Sequence, residues 1–137
     1  MKYKMDQPVH GNIGTTKYQC TIEWRNGKFI ADEPENNGGQ DTGPDPFTLL
    51  LSSLTSCTLI TLRMYIDRKG WAIDNIEVDT NMHQVKDGTT IITTINRDIR
   101  FLSEVSEEQK KRLLQIADAC PVSKILENQI DIKTFIK

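Results

Sequence analysis

The part of this chain that most restricts its fold is 32–62, where the fifteen residues DEPENNGGQDTGPDP run directly into the apolar stretch Phe47 to Leu62. Gly, Pro, Asn and Asp punctuate the first part too densely for helix or strand, so it forms a long loop, and long ordered loops in compact domains are often functional. Asp45-Pro46 then offers an N-cap followed by a proline at the first helical position, and Gly70 is the next strong stop. The spacing predicts one helix from Pro46 to about Lys69, with Leu50, Leu54, Cys57, Thr61 and Met64 on one face. The apolar stretch is interrupted by Ser and Thr and closed by Arg63 after sixteen residues. That is short of a bilayer span and reads as a buried core helix.

Strand signals flank this helix. Tyr18, Cys20, Ile22 and Trp24 alternate with polar residues, the period of a strand with one covered face. Arg25-Asn26-Gly27 supplies a turn, since Asn-Gly tolerates positive φ, and Lys28 to Ala31 returns as the hairpin partner. The segment around His10 is rich in turn formers. After Gly70, Ile76–Thr80 and Met82–Val85 are strand-like, Lys86-Asp87-Gly88 is a turn, and the β-branched run from Thr89 continues toward Phe101 as an antiparallel meander. Ser106 and Gln109 form a capping box for a second helix, on which Leu113, Ile116, Ala117 and Cys120 share a face until Pro121 ends or kinks it. Val122 to Asn128 fits a short helix and Ile130 to Ile136 a final strand. The expectation is one α+β domain over residues 1–137.

A chain of 137 residues buries a core without disulfide staples or a structural metal. With 26% charged residues and a net charge of -2, it has no electrostatic attraction for nucleic acid, and no membrane partner is expected. The opening Met1-Lys2-Tyr3-Lys4-Met5-Asp6 lacks the apolar core of a secretory signal, so the expected location is the cytoplasm. Cys20, Cys57 and Cys120 are odd in number and lack CxxC spacing, and His10 and His83 make no ligand cluster with them, so no metal is expected. Gly38, Gly39 and Gly43 do not make a phosphate-binding loop, which leaves no cofactor to assign. The charged run Glu107 to Arg112 places acids before bases along a helix and reads as a solvated face.

By burial habit alone, Cys57 and Cys120 would be small core hydrophobes. Two longer motifs point elsewhere. The segment GGQDTGPDPFTLLLSSLTSCTLITLRMYIDRKGW combines a Gly-rich loop, a proline and a Leu-rich helix with an internal cysteine, and IADACPVSKIL leads a helix into Cys-Pro. Together, over residues 28 to 137, they resemble the OsmC/Ohr family, most closely its shorter OsmC-like branch with an ADEP…GG…GP…P loop. The resemblance implies an OsmC-like fold, with strands wrapped around a long central helix, in an intertwined homodimer with thiol sites at the subunit interface. It implies a peroxidatic Cys57 and a resolving Cys120 that reduce an organic hydroperoxide or hydrogen peroxide in oxidative-stress defence. A dithiol, lipoyl or thioredoxin-like, would regenerate the pair. Cys20, on the apolar side of its strand, is assigned a structural role.

The sequence departs from the family at one device. Peroxidases of this family carry a Glu just after the loop proline, holding an active-site Arg from an N-terminal segment. Here Phe47 and Thr48 follow Pro46, and no Arg precedes Arg25. Arg63, about two turns from Cys57, and Arg25, in a hairpin turn, are weak substitutes. Two other readings therefore stay open. One is an OsmC-like protein without rapid turnover that binds a small apolar ligand or senses oxidants at the dimer interface. The other is a scaffold whose thiols only pack the core.

Overall fold

The computed structural model describes residues 2–137. It is an α+β fold with one long helix and antiparallel strands, as expected, and its two compact units divide between Leu50 and Leu51, inside that helix.

The first unit holds β1 (His10–Ile13), β2 (Cys20–Trp24) and β3 (Gly27–Ala31) in one antiparallel sheet of that order. The turn is one residue shorter than predicted, Arg25-Asn26, because Gly27 already pairs with Trp24. Neither Asn26 nor Gly27 takes positive φ, so the conformational freedom of Asn-Gly is not what makes this turn. His10 lies in a strand rather than in turns: it stands opposite Glu23. The expected apolar face of β2 is only partly covered, with Tyr18 44% and Trp24 43% exposed.

The loop that follows is organised by one carboxylate. Asp32 is buried, and its Oδ1 accepts from the Tyr18 N–H at 3.3 Å and the Glu33 N–H at 2.8 Å. Its Oδ2 accepts from the Thr42 N–H at 3.1 Å and the Thr42 hydroxyl at 2.6 Å. The Thr42 hydroxyl, opposed by desolvation and helped by the three N–H groups, lowers the Asp32 pKa from the usual 3.8 to about 2. Gly39 and Gly43 are needed here because a Cβ on either would lie 2.0 Å from a backbone oxygen, of Glu33 and Ile30 respectively.

Helix α1 (Pro46–Lys69) begins and ends where the sequence predicts. The Asp45 carboxylate accepts from the Phe47 N–H at 3.1 Å and also takes the Thr48 hydroxyl, which occupies two donors of the first turn. Gly70 closes the helix at φ 68°. The buried face differs from the predicted one: Leu54, Thr58, Leu62, Tyr65 and Ile66 are covered, whereas Leu50 is 42% and Met64 66% exposed. The polar hydroxyl of Thr58 misled the periodicity, since it is buried by donating to the Leu54 carbonyl at 2.7 Å.

In the second unit, β4 (Ile76–Asp87) and β5 (Thr90–Phe101) form a single two-stranded hairpin, not a meander of several strands. The bend is Gly88-Thr89, with Gly88 at φ 63°. Helix α2 (Glu107–Asp118) has the predicted capping box, with Ser106 and Gln109 exchanging backbone N–H bonds at 3.1 and 3.0 Å. Leu62, Tyr65 and Ile66 of α1 pack with Ile73 and with Leu113 and Ala117 of α2, and Ile76, Ile99 and Phe101 of the hairpin join them. Cys120 does not close α2. The helix ends at Asp118, and Cys120 is the N-cap of α3 (Pro121–Glu127), because Pro121 suits a first helical position and cannot extend a helix already under way. The segment Ile130–Ile136 is not a strand: it has no ladder partner, and Ile132, Phe135 and Ile136 are 86%, 77% and 100% exposed.

Candidate active site

The site is built within the second unit from α1, β5 and the α2–α3 junction. Cys57 is half-buried on α1 and Cys120 fully buried at the head of α3, and both are free thiols. They are neighbours, and each sulfur shifts the acidity of the other. The α3 turn brings this about, since a residue capping a helix turns its side chain back toward the first N–H groups. Cys120 Sγ accepts from the Ser123 N–H at 3.4 Å.

Thr58, the residue after Cys57, ties the two helices together. Its hydroxyl lies 4.0 Å from Cys120 Sγ, while Cys57 Sγ lies 4.0 Å from the Thr61 hydroxyl. Arg97 of β5 reaches the same point, donating from Nη1 to Thr58 Oγ1 at 2.8 Å and pairing through Nη2 with Asp118 Oδ1 at 3.3 Å. The Arg97 side chain is only 13% exposed, and Asp118 is 60% exposed. Beside this junction lies a cleft of about 510 Å³ lined by Leu54, Ile95, Arg97, Asp118, Ser123 and Glu127, among others.

The two thiols differ electrostatically. Burial pushes the Cys57 pKa up, and Cys120 pushes it further, outweighing the help from the Val122 N–H and Thr61. Burial also acts to raise Cys120, but the Ser123 N–H, Cys57, Thr58 and the Val122 N–H overcome it and leave Cys120 below its ordinary value. Of the pair, Cys120 is the more acidic thiol. Two adjacent sulfurs of unequal acidity can interconvert dithiol and disulfide.

The structure thus brings Cys57 and Cys120 together. Arg63 is used elsewhere: it donates to the carbonyl of Ile73 at 2.8 Å and to that of Asp74, tying down the loop after α1. Arg25 stacks over Trp24 at 5.3 Å. Cys20 donates to the Ala31 carbonyl at 3.7 Å, across the β2–β3 pair. Sequence reasoning missed Thr58, Arg97, Asp118, Val122 and Ser123. Arg97 had a readable signal, because it shares strand parity with Ile95, Ile99 and Phe101, so a charge stands on the inward face.

The family model for OsmC-like protein matches residues 38–135, well over half of the chain. The chain belongs to the OsmC family. Solved structures with the same fold include an osmotic stress induced and detoxification response protein of Psychrobacter arcticus, at TM-score 0.74 and 19% identity, with 91% of each chain covered. The organic hydroperoxide resistance protein OsmC of Legionella pneumophila aligns at TM-score 0.68 and 14% identity over 96% of each chain. The organic hydroperoxide resistance protein OhrB of Bacillus subtilis aligns at TM-score 0.64 and 20% identity, over 92% of this chain and 93% of that one. No curated protein matches the chain. The family is one associated with organic hydroperoxide resistance, and at these identities the structural likenesses carry the fold.

Proposed function

We propose that this OsmC-family protein is a thiol-dependent hydroperoxide reductase that uses Cys57 and Cys120 as its redox pair. The observation that supports it is the meeting of two free thiols distant in sequence, with Cys120 Sγ 4.0 Å from the hydroxyl of Thr58, the residue next to Cys57. Cys57, the more accessible thiol, meets the peroxide. As Cys57 Sγ attacks the distal oxygen of ROOH, the O–O bond breaks, and the thiol proton passes by way of the Cys120 thiolate to the leaving alkoxide. The products are Cys57 sulfenic acid and ROH. The Cys120 thiolate then attacks Cys57 Sγ, forming the disulfide and expelling hydroxide, which leaves as water after taking a proton. A lipoyl or thioredoxin-like dithiol supplies the two electrons and two protons that restore both thiols, becoming a disulfide itself.

The reading includes a cytoplasmic homodimer. It is supported by apolar side chains left open in the second unit: Ile60 at 54%, Met64 at 66%, Leu114 at 60% and Ile125 at 53% exposure.

The test is consumption of cumene hydroperoxide and hydrogen peroxide with dihydrolipoamide or reduced thioredoxin as electron donor. Cys57→Ser, still folded, should lose turnover, and Cys120→Ser should stop at a single oxidation of Cys57. A wild-type rate in Cys57→Ser rejects the reading. The raised pKa of Cys57 favours a second reading, slow oxidant sensing by the same pair. There, graded peroxide would form the Cys57–Cys120 disulfide without sustained turnover.

A further inference from the structure

The activating Arg/Glu device expected of this family has no counterpart in Phe47 and Thr48, and neither Arg25 nor Arg63 stands in for it. Arg97 occupies a different place. It emerges from the inward face of β5, is almost covered, and divides its guanidinium between the Asp118 carboxylate and the Thr58 hydroxyl.

The Thr58 hydroxyl has one proton and two acceptor lone pairs. Arg97 fills one lone pair at 2.8 Å, so the oxygen cannot turn that side to any other donor. The proton then has two destinations, the Leu54 carbonyl at 2.7 Å and Cys120 Sγ at 4.0 Å. With Cys120 neutral, the carbonyl is the stronger acceptor. When Cys120 ionises, the sulfur becomes an anion, and the proton turns to it while the Leu54 carbonyl keeps its helical N–H. The guanidinium polarises the hydroxyl and makes it a better donor at that moment.

We propose that Arg97, anchored by Asp118, is the positioning residue that sets Thr58 as a hydrogen-bond donor to the Cys120 thiolate, replacing the missing arginine device at the resolving sulfur rather than at the peroxidatic one. This rests on the reductase reading, in which Cys120 relays the proton from Cys57, attacks the sulfenic acid and leaves as thiolate when the disulfide is reduced. One arginine thereby serves three steps. The groups that act on Cys120 are Cys57 and Thr58 from α1 and the Ser123 N–H of α3, whereas Arg97 and Asp118 reach it only through Thr58, and the Glu127 carboxylate accepts from the Ser123 hydroxyl at 3.0 Å.

The test is a titration of the Cys120 thiolate by ultraviolet absorbance in the Cys20→Ser/Cys57→Ser protein, which leaves one thiol. Arg97→Met should raise the midpoint by about one pH unit, a tenfold loss of thiolate below the midpoint. Thr58→Val should do the same, and Arg97→Met should add nothing in the Thr58→Val background. An unchanged midpoint in Arg97→Met, or an equal shift with Thr58 absent, overturns the proposal. Should Arg97→Met not fold, Asp118→Asn decides by sign. Removing a nearby anion lowers a thiol pKa through space, whereas losing the anchor of Arg97 raises it. A rise supports the proposal, and a fall or no change overturns it. The titration needs no peroxide, so it can fail while Cys57→Ser still abolishes turnover, and it can succeed in a protein that turns over none.

Discussion

Single side chains decide both halves of this molecule. Asp32 gathers four donors, and its lowered pKa makes it a pH-dependent support for the loop it organises. A carboxyl depressed from 3.8 to about 2 contributes stability that is complete above the unfolded value and is lost as pH falls through the folded one. Asp32→Asn should therefore melt at lower temperature than the wild type near neutrality, and the two should converge as pH is lowered from about 4 toward 2. Circular dichroism melts across that range check it, and a constant gap would refute the linkage. At the same scale, legibility was uneven. Cys57 and Cys120 could be named from their motifs, because a family signature is written in the chain around them. Strand parity marks Arg97 as an inward charge but not its partner, and Thr58 carries no mark at all, because their roles come from a meeting of α1 with β5 that no local spacing records.

Elements were legible where the chain carries its own punctuation. Asp45-Pro46 and Gly70 bound α1, and the Ser106–Gln109 box starts α2, since each signal is satisfied by atoms within a few residues. Ser106→Ala removes the acceptor for the Gln109 N–H and should cost about 1 kcal/mol. Chemical denaturation should show the midpoint move with no change in slope, and an unmoved midpoint would mean that packing of Leu113 and Ala117 holds the helix by itself. Elements were misjudged where the deciding partner lies elsewhere. The run Ile130–Ile136 is rich in β-formers, but a strand needs an edge to pair with, and pairing is not a property of the run. The end of α2 was misplaced by two residues because Cys-Pro suits a helix start as well as a helix stop.

For the molecule as a whole, α+β class and OsmC membership were readable, since both follow from element order and two long motifs. The intertwined homodimer came only with the family resemblance, because assembly depends on surfaces rather than on periodicity. If the exposed Ile60 and Met64 face a second copy, Met64→Glu should convert a dimer into monomers or lower its affinity at least tenfold. Sedimentation equilibrium measures this, and a dimer indifferent to Met64→Glu would place the contact elsewhere. Pairing in the hairpin is unbroken from Asp87 opposite Thr90 to Ile76 opposite Phe101. Side chains along β5 alternate in direction, so moving the strand by a single residue would turn Arg97 outward and present Asn96 or Asp98 in its place. The charge offered to the sulfurs is in this sense a matter of odd and even. One residue added between Thr94 and Ile95 would exchange a cation for an amide beside Thr58, and one removed there would exchange it for an anion, without touching any residue of the site.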